Sequence, residues 1–340
     1  MKRIAVLTSG GDAPGMNACL RAIVLTAEHY NIEVVGYRHG YNGLLNQEYK
    51  IMTRDFVGNI IQAGGTILRS ARCLEFKTEE AAKTAASNLD EIDVEALLVI
   101  GGDGSFHGAH HLGKFWDKQI IALPGTIDND INGTDATIGY FTAIETALSS
   151  IDKVRDTADA FERIFLVEVM GRHAGFIGLS AAVSSGADQV LLPEINHDSV
   201  AALQSIVNHI ETARKIKGNT SYIVVVAENL WPGGVTALAQ VLTERIGTDC
   251  RPVILGHVQR GGSPVTQDRL LATKLGAYAV EAAMAGKTNI MVGERNDKLV
   301  DVPLEETWAS RKELDPYLVK IQTELFDISQ SPVAKTLSKL

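Results

Sequence analysis

Three short segments of this sequence combine glycines with aspartates in a way that suits phosphate chemistry. They run over residues 10–12, 101–105 and 124–130. Glycine leaves its backbone N–H open to a phosphate oxygen, because no side chain stands in front of it. Aspartate can bind Mg²⁺ or accept a proton. Together the segments predict a site that transfers a phosphoryl group from a polyphosphate donor to a hydroxyl.

Two aspartates are candidates for different parts of such a reaction. Asp128 is predicted to be the general base that takes the proton of the acceptor hydroxyl, a contribution of about 10² to 10⁴ in rate. Asp103 is predicted to bind Mg²⁺ through a hard carboxylate oxygen. The alternatives are structural. Asp103 could do no more than cap the following helix, and residues 128–130 could form an ordinary Asx turn.

The three segments follow predicted strands of an α/β protein. Runs of β-branched residues alternate with longer amphipathic segments, which predicts parallel sheets covered by helices. The predicted strands are 3–7, 33–37, 95–100, 119–123, 164–169, 222–227 and 252–255. The predicted helices include 16–28, 136–154, 199–215, 264–285 and one that opens at His173. Ligands of such sheets bind beyond the carboxyl ends of the strands, where the three segments fall.

The predicted architecture has two Rossmann-like three-layer α/β domains, whose mostly parallel sheets face a shared active-site cleft. Residues 1–139 and 257–305 are assigned to the larger domain, and residues 140–256 and 306–326 to the smaller one. Residues 327–340 are predicted to be a mobile tail.

Composition narrows the expected partners and compartment. A net charge of -9 over 340 residues gives no general attraction for nucleic acid or an anionic membrane, so neither partner is expected. The sequence shows neither a signal-peptide pattern nor the roughly 18 apolar residues of a membrane span. Cys19, Cys73 and Cys250 lack the spacing of a zinc site or a disulfide framework, which favours a reducing cytoplasm.

Arginines at predicted strand ends add groups that suit phosphate. Arg172 follows Gly171, and Arg260 precedes Gly261, so a ligand can approach the backbone and the guanidinium together. A single arginine is more often a solvated surface residue. The three histidines within residues 107–111 have a helical spacing that suits zinc, but no cysteine or carboxylate nearby completes the site, so a plain helix face is favoured.

Five longer motifs carry a family resemblance. They are LTSGGDAPGMNA at 7–18, IGGDGS at 100–105, LPGTIDND at 123–130, VEVMGR at 167–172 and LGHVQRGGSP at 255–264. Through these motifs the chain resembles the bacterial ATP-dependent 6-phosphofructokinases. The resemblance implies that the 1-hydroxyl of fructose 6-phosphate attacks the γ-phosphate of ATP, with Mg²⁺, in the committed step of glycolysis.

The resemblance also implies roles for individual residues. ATP and Mg²⁺ would be held in the larger domain by Gly11, Arg72, Cys73, Gly102, Asp103, Gly104, Ser105 and Gly108, with Asp103 as metal ligand. Fructose 6-phosphate would be held by Thr126, Ile127, Asp128, Asp130, Arg163, Met170, Gly171, Arg172, Glu228, Arg251, His257, Val258, Gln259 and Arg260. The catalytic residues would be Gly11, Arg72, Thr126, Asp128 and Arg172. Arg163 and Arg251 would come from a neighbouring subunit, which implies a homotetramer.

A regulatory site is implied less completely. In relatives that bind ADP or phosphoenolpyruvate as effectors, basic residues at a subunit interface receive the effector phosphates. The corresponding residues are Arg21, Arg54, Arg155, Gly186, Asp188, Lys215 and Lys217. Leu25 stands where the family often has arginine, and Asp188 replaces a usual glutamate. Altered or weakened effector control is therefore expected.

Two glycines favour ATP as the phosphoryl donor. Pyrophosphate-dependent relatives carry aspartate where Gly104 stands and lysine where Gly125 stands. An acidic side chain at position 104 would repel the α-phosphate of a nucleotide. The alternatives are a pyrophosphate-dependent phosphofructokinase, a kinase acting on NAD or diacylglycerol, and a catalytically silent sensor of sugar phosphate or nucleotide. A silent sensor has no chemical need for both Asp103 and Asp128.

Overall fold

Strands form where the sequence has short buried runs of β-branched and aliphatic residues, and helices form between them. The computed structural model describes residues 1–218 and 221–326. The predicted tail, residues 327–340, lies outside the described residues. Within the described part, no helix has both the length and the apolar character needed to cross a membrane.

Strands and helices alternate along most of the chain. The strands are β1 (Arg3–Ser9), β2 (Glu33–Tyr37), β3 (Tyr49–Met52), β4 (Ala96–Gly101), β5 (Gln119–Pro124), β6 (Ile164–Val169), β7 (Gln189–Leu191), β8 (Tyr222–Ala227), β9 (Cys250–Ile254), β10 (Ile290–Arg295) and β11 (Lys298–Pro303). The helices are α1 (Met16–His29), α2 (Tyr41–Leu45), α3 (Glu79–Glu91), α4 (Asp103–Leu112), α5 (Tyr140–Phe161), α6 (Phe176–Ser185), α7 (Ser199–Lys217), α8 (Gly234–Ile246), α9 (Thr266–Met284), α10 (Glu306–Ala309) and α11 (Pro316–Phe326). Short 3₁₀ helices cover Glu75–Lys77 and Gly256–Arg260.

The larger sheet brings the three glycine segments to one edge. Its strand order is β11-β10-β5-β4-β1-β2-β3, and only the edge strands β3 and β11 pair in antiparallel fashion. β4 is buried over its whole length, as expected for a parallel strand covered on both faces. The register pairs Ser9 with Gly101 and Gly101 with Pro124. The segments after β1, β4 and β5 therefore leave the sheet side by side.

The smaller sheet is parallel throughout, with the strand order β7-β8-β6-β9. Aliphatic side chains of β6 and β8 form its core together with side chains of α7 and α8. α7 begins where it does because the Asp198 carboxylate accepts the N–H of Val200 at 2.8 Å and that of Ala201 at 3.3 Å. This cap fixes the start of the helix that covers the sheet.

Contacts along the chain divide it into two compact units. The first comprises Met1–Thr142 and Arg260–Lys312 and contains the larger sheet. The second comprises Ala143–Gln259 and Glu313–Leu340, and its described part contains the smaller sheet. Each boundary between the two units lies a few residues further along the chain than the boundary expected from the sequence.

The α/β class with two mostly parallel sheets is confirmed, and β2, β6 and β8 begin and end at the predicted residues. The helix predicted from residue 136 starts too early. α5 begins only at Tyr140, because Gly139 has a φ of 103° and Ile138 forms a parallel β-bridge with Gly125. The last predicted strand is displaced as well, since β9 ends at Ile254.

The prediction that His173 opens a helix is wrong. α6 begins at Phe176, and the turn before it has φ values of 149° at Gly171 and 60° at Arg172. These values lie in the left-handed region, which interrupts a right-handed helix. Residues 170–175 therefore form a turn between β6 and α6.

Candidate active site

Gly10, directly after β1, and Gly101, the last residue of β4, occupy positions that favour glycine. A Cβ on Gly101 would lie 2.6 Å from Ser105 Oγ and 2.7 Å from the Ser9 carbonyl oxygen. Gly10 has a φ of 85°, which favours glycine. The Gly125 N–H donates to the Gly101 carbonyl at 2.9 Å, which joins the segment after β5 to that after β4. The backbones of the three segments are thus packed together closely.

The helix α4 starts directly after β4 and gives this edge an N-terminus with open amides. Asp103 is its first residue, and its exposed carboxylate lies 3.3 Å from Nδ1 of His107. A Cβ on Gly104 would meet no atom within 4 Å, so the space beside this turn is open. A Cβ on Gly102 would lie 3.5 Å from Thr126 Cβ. A helix N-terminus of this kind suits an anionic ligand such as a phosphate.

The segment after β5 holds Asp128 in a buried position. Asp128 is only 7% exposed, and its N–H donates to Thr126 Oγ1 at 3.3 Å. The Thr137 hydroxyl donates to the Thr126 carbonyl at 2.6 Å, and the Thr137 N–H donates to Asn129 Oδ1 at 3.1 Å. Ile127 is fully buried, so its backbone rather than its side chain can serve a ligand. We call residues 126–137 the base loop.

Arg260 joins the base loop to the segment after β1. Its Nη1 donates to the Asp12 carbonyl at 3.1 Å, and its Nη2 lies 4.0 Å from Asp128 Oδ1. A Cβ on Gly11 would lie 2.6 Å from Arg260 Nη1, so the guanidinium lies against the Gly11 backbone. The first unit therefore brings together a glycine backbone, a buried carboxylate and a guanidinium, which are groups that suit phosphoryl transfer.

The remaining residues predicted to bind the nucleotide are Gly108, within α4, and Arg72 and Cys73, which precede the 3₁₀ helix Glu75–Lys77. A Cβ on Gly108 would lie 3.0 Å from the Tyr41 ring, whose hydroxyl donates to the Ser105 carbonyl at 2.6 Å. Cys73 packs partly against the core, and burial raises the pKa of its thiol. Arg72 is exposed. Cys73 therefore contributes as a small apolar side chain rather than as a thiolate.

The second unit contains a turn, residues 170–172, that is held through its backbone. Glu228 Oε1 accepts the N–H of Gly171 at 3.2 Å and that of Arg172 at 2.6 Å. Gln259 is fully buried, and its Oε1 accepts the Met170 N–H at 2.7 Å. The Arg172 side chain is exposed. We call residues 170–172 the arginine turn, because it presents that guanidinium.

The other residues predicted to bind the sugar phosphate lie on the surface of the second unit. His257 and Val258 are exposed in the 3₁₀ helix after β9. The Arg163 guanidinium carbon lies 4.1 Å from the centre of the Phe161 ring. Arg251 Nε lies 2.7 Å from Asp249 Oδ2. Both arginines therefore have local partners within the chain.

The predicted effector residues lie in two groups, one in each unit. In the first unit, Arg54 Nε lies 3.0 Å from Glu28 Oε1, and the buried Nε of Arg21 has no hydrogen-bond partner among the described residues. In the second unit, Arg155 Nη2 donates to the carbonyls of Ser185 and Gly186 at 2.9 and 3.0 Å.

Two further effector candidates are described in the second unit. Asp188 Oδ2 accepts the Ile223 N–H at 2.8 Å, and Lys215 is exposed. The side chain of Lys217 lies outside the described residues. Asp188 is therefore engaged with the backbone of β8.

The donor set for a metal ion is small. Over residues 1–218 and 221–326, no group of three or more His, Cys, Asp or Glu side chains could hold a metal ion. Mg²⁺ does not require such a group, since it often binds one or two carboxylates together with substrate phosphates. The exposed Asp103 at the start of α4 fits that second mode, in which the nucleotide itself supplies most ligands.

Several residues around the base loop were not found from the sequence. Lys312 Nζ donates to Asn129 Oδ1 and to the Asp135 carbonyl, both at 2.8 Å. Asp268 is fully buried and accepts the N–H groups of Gly139 at 2.8 Å and Thr142 at 2.7 Å. Asp268 stands among the apolar positions of α9, which is a weak sign of a buried structural role. The sequence around Lys312 offers no such sign.

Comparison with known proteins identifies the family. A family model described as Phosphofructokinase matches residues 3–283. The "ATP-dependent 6-phosphofructokinase" of Macrococcus caseolyticus is 49% identical over 325 residues, covering 96% of this chain and 99% of that protein. The "ATP-dependent 6-phosphofructokinase 1" of Thermus thermophilus is 46% identical over 325 residues, with the same coverage.

A solved structure of Pichia pastoris phosphofructokinase in the T-state has a similar fold. The TM-score is 0.85 and the identity 33%, and the match covers 99% of this chain. The chain spans only 38% of the length of the Pichia chain. A mostly parallel sheet with glycine and carboxylate segments at one edge is typical of phosphate-binding α/β proteins. The matched family model and relatives then show that the chain belongs to the phosphofructokinase family.

Proposed function

We propose that this chain transfers the γ-phosphoryl group of ATP to the 1-hydroxyl of fructose 6-phosphate, giving fructose 1,6-bisphosphate and ADP. The observation that carries the proposal is the position of the Arg260 guanidinium, which lies against the Gly11 backbone after β1 and 4.0 Å from the Asp128 carboxylate after β5. The relatives named ATP-dependent 6-phosphofructokinases, 46% and 49% identical to this chain, support the same reaction.

The first unit is assigned the nucleotide. The amides at the start of α4 and the Gly11 backbone would bind its phosphates, and Gly108 would contact the nucleotide through its backbone. Arg72 would reach the phosphates from the surface. Asp103 would hold Mg²⁺ together with phosphate oxygens, and the ion would offset negative charge on the phosphates. All of these residues lie in the first unit.

Asp128 is assigned the proton of the acceptor hydroxyl. A buried, fixed carboxylate can accept this proton as the new P–O bond forms, provided that it is within hydrogen-bond reach. Thr126 and Asp130 would flank the hydroxyl in the base loop. Arg260 would stabilise negative charge beside Asp128, because its guanidinium is already within 4.0 Å of that carboxylate.

The second unit is assigned the sugar phosphate. Glu228 and Gln259 hold the backbone of the arginine turn, so that Arg172 can extend its guanidinium to a phosphate. His257 and Val258 would add contacts from the 3₁₀ helix after β9. Arg163 and Arg251 would act in the site of a neighbouring subunit, which makes the active form a homotetramer.

Glycine at two positions supports ATP over pyrophosphate as the donor. The space beside Gly104 is open, so an ATP α-phosphate has room there. A Cβ on Gly125 would lie 2.8 Å from Ile100 Cγ2 and 3.1 Å from Met16 Cε. A lysine at position 125, as in pyrophosphate-dependent relatives, would therefore require the core beside it to move.

The proposed effector response is weaker than that of a typical regulated relative. Arg155 already donates to two backbone carbonyls, and Arg54 pairs with Glu28. An effector phosphate would have to compete with these partners. Addition of ADP or phosphoenolpyruvate is therefore expected to change activity only modestly.

The decisive experiment is a coupled assay that measures fructose 1,6-bisphosphate formed from fructose 6-phosphate with ATP or with pyrophosphate. Turnover with ATP and Mg²⁺, and little with pyrophosphate, is the expected result. Turnover with pyrophosphate alone would favour the pyrophosphate-dependent alternative. Binding of both ligands without product would favour a silent sensor, and reaction only with NAD or diacylglycerol would favour a different kinase.

A further inference from the structure

Lys312, the last residue of the first unit, reaches back to the base loop. Its Nζ donates to Asn129 Oδ1 at 2.8 Å and to the Asp135 carbonyl at 2.8 Å. The first of these bonds connects residues 183 positions apart in the sequence. The lysine thus ties the residue directly after Asp128 to the far side of the same loop.

Asn129 needs such support because its backbone is in an uncommon conformation. Its φ is 54°, in the left-handed region, which asparagine tolerates better than most residues but which still needs its surroundings to hold it. Its Oδ1 accepts both the Thr137 N–H at 3.1 Å and the Lys312 ammonium, and its Nδ2 donates to the Asp135 carbonyl at 3.4 Å. These hydrogen bonds connect Asn129, the residue that follows Asp128, to Thr137, Lys312 and Asp135.

Burying the charged ammonium group of Lys312 costs free energy, so its position depends on these contacts. Burial lowers the pKa of Lys312 to about 8, while the nearby charges of Asp135 and Asp130 act to raise it. A partly buried ammonium group is retained where fixed acceptors compensate the lost hydration. Both acceptors described above, Asn129 Oδ1 and the Asp135 carbonyl, belong to the base loop.

We propose that Lys312 is a positioning residue for Asp128: it fixes the base loop so that the carboxylate is held in place for proton transfer. This inference rests on the proposed function, in which Asp128 is the general base. A base that shifts within its loop loses rate steeply, because proton transfer requires hydrogen-bond distance. The nucleotide and the phosphate of the sugar are assigned to residues outside this loop, so we expect KM to change less than kcat.

The test compares Lys312→Met, Lys312→Arg and the control Arg311→Met. Methionine has nearly the length of lysine but no donor, and arginine keeps both charge and donors. Arg311 is the exposed neighbouring cation. Lys312→Met is expected to lower kcat about tenfold, with KM for both substrates within about twofold. Lys312→Arg should recover much of kcat, and Arg311→Met should behave as the wild type.

A second variant approaches the same bond from the loop side. Asn129→Gly removes the acceptor while glycine tolerates the φ of 54°. If Lys312 acts through Asn129, the double variant should be no slower than the slower single variant. Fully additive losses would overturn the proposed route. Asn129→Gly also serves as the test if Lys312→Met does not fold.

Hydrogen exchange separates this inference from the proposed function. The Thr137 N–H, which donates to Asn129 Oδ1, should exchange faster in Lys312→Met than in the wild type, whatever reaction the protein catalyses. A wild type that does not phosphorylate fructose 6-phosphate would refute the proposed function while leaving this exchange result readable. Unchanged exchange, or a wild-type kcat in Lys312→Met, would overturn the positioning role.

Discussion

The base loop and the arginine turn both follow a parallel strand, yet they are fixed in opposite ways. In the base loop the functional side chain itself is buried: Asp128 is 7% exposed, and the next residue, Asn129, accepts hydrogen bonds from Thr137 and Lys312. In the arginine turn the backbone is fixed by Glu228 and the side chain is left exposed.

The difference corresponds to what each group is proposed to do. A general base must remain within a few tenths of an ångström of hydrogen-bond distance, so its side chain has to be held. A guanidinium that binds a phosphate needs a fixed backbone and a side chain that is free to adjust its two parallel hydrogen bonds. The predicted consequence is that damage to the base loop lowers kcat, whereas damage to the arginine turn raises KM.

The largest expected effect is that of Asp128→Ser. Serine cannot accept a proton at neutral pH, so kcat is expected to fall at least about 100-fold, while KM for fructose 6-phosphate changes little. Steady-state kinetics with both substrates varied measures the two parameters. The exposed Asp117 of the same unit gives the control, since Asp117→Ser should leave both unchanged. A kcat within about threefold of the wild type would remove Asp128 from its assigned role.

The strands that the sequence predicted well are those with long β-branched runs between polar residues, such as β6 and β8. β7 has only three residues, and β3 is exposed at three of its four positions, so neither gives a clear pattern. The hairpin of β10 and β11 was not predicted, although the sequence of its turn is informative. Its two-residue turn is Asn296-Asp297, with φ values of 50° and 60°, and asparagine and aspartate tolerate positive φ better than most residues.

The candidate site was predictable where its residues follow strands, because the carboxyl ends of parallel strands meet at one edge. The residues that fix the site were not. The bond from Gly139 to Asp268 spans 129 positions and that from Lys312 to Asn129 spans 183. No local pattern specifies which distant polar side chain will reach a given loop, since that depends on how helices pack after the sheet has formed.

A smaller effect, on stability, is expected from Asp268→Asn. Asp268 accepts the N–H of Gly139 and both the N–H and the hydroxyl of Thr142, so it anchors the chain directly after the base loop. An asparagine places an NH₂ group against one of these donors, and the expected loss is about 1–3 kcal/mol in the free energy of unfolding. Chemical denaturation followed by circular dichroism measures it.

The same variant has a pH dependence with a defined sign. Burial raises the pKa of Asp268, although the hydrogen bonds from Thr142 and Gly139 act to lower it. Its ionisation therefore costs stability as the pH rises from the unfolded pKa through the raised folded pKa. The stability deficit of Asp268→Asn should be larger on the acid side of this window than at neutral pH. A deficit that grows with pH would contradict the assigned direction.

The smallest expected effect is that of Glu228→Ala, and it tests the comparison most directly. The substitution leaves two backbone N–H groups of the arginine turn without their acceptor, so the turn should loosen and KM for fructose 6-phosphate should rise about tenfold. KM for ATP and kcat should change little. Glu244→Ala, at an exposed position of α8, is the matched control. Faster hydrogen exchange at Gly171 and Arg172 would show that the backbone had been released. A fall in kcat at unchanged KM would mean that the arginine turn, like the base loop, has to hold a reacting group in place, and the distinction between the two regions would be wrong.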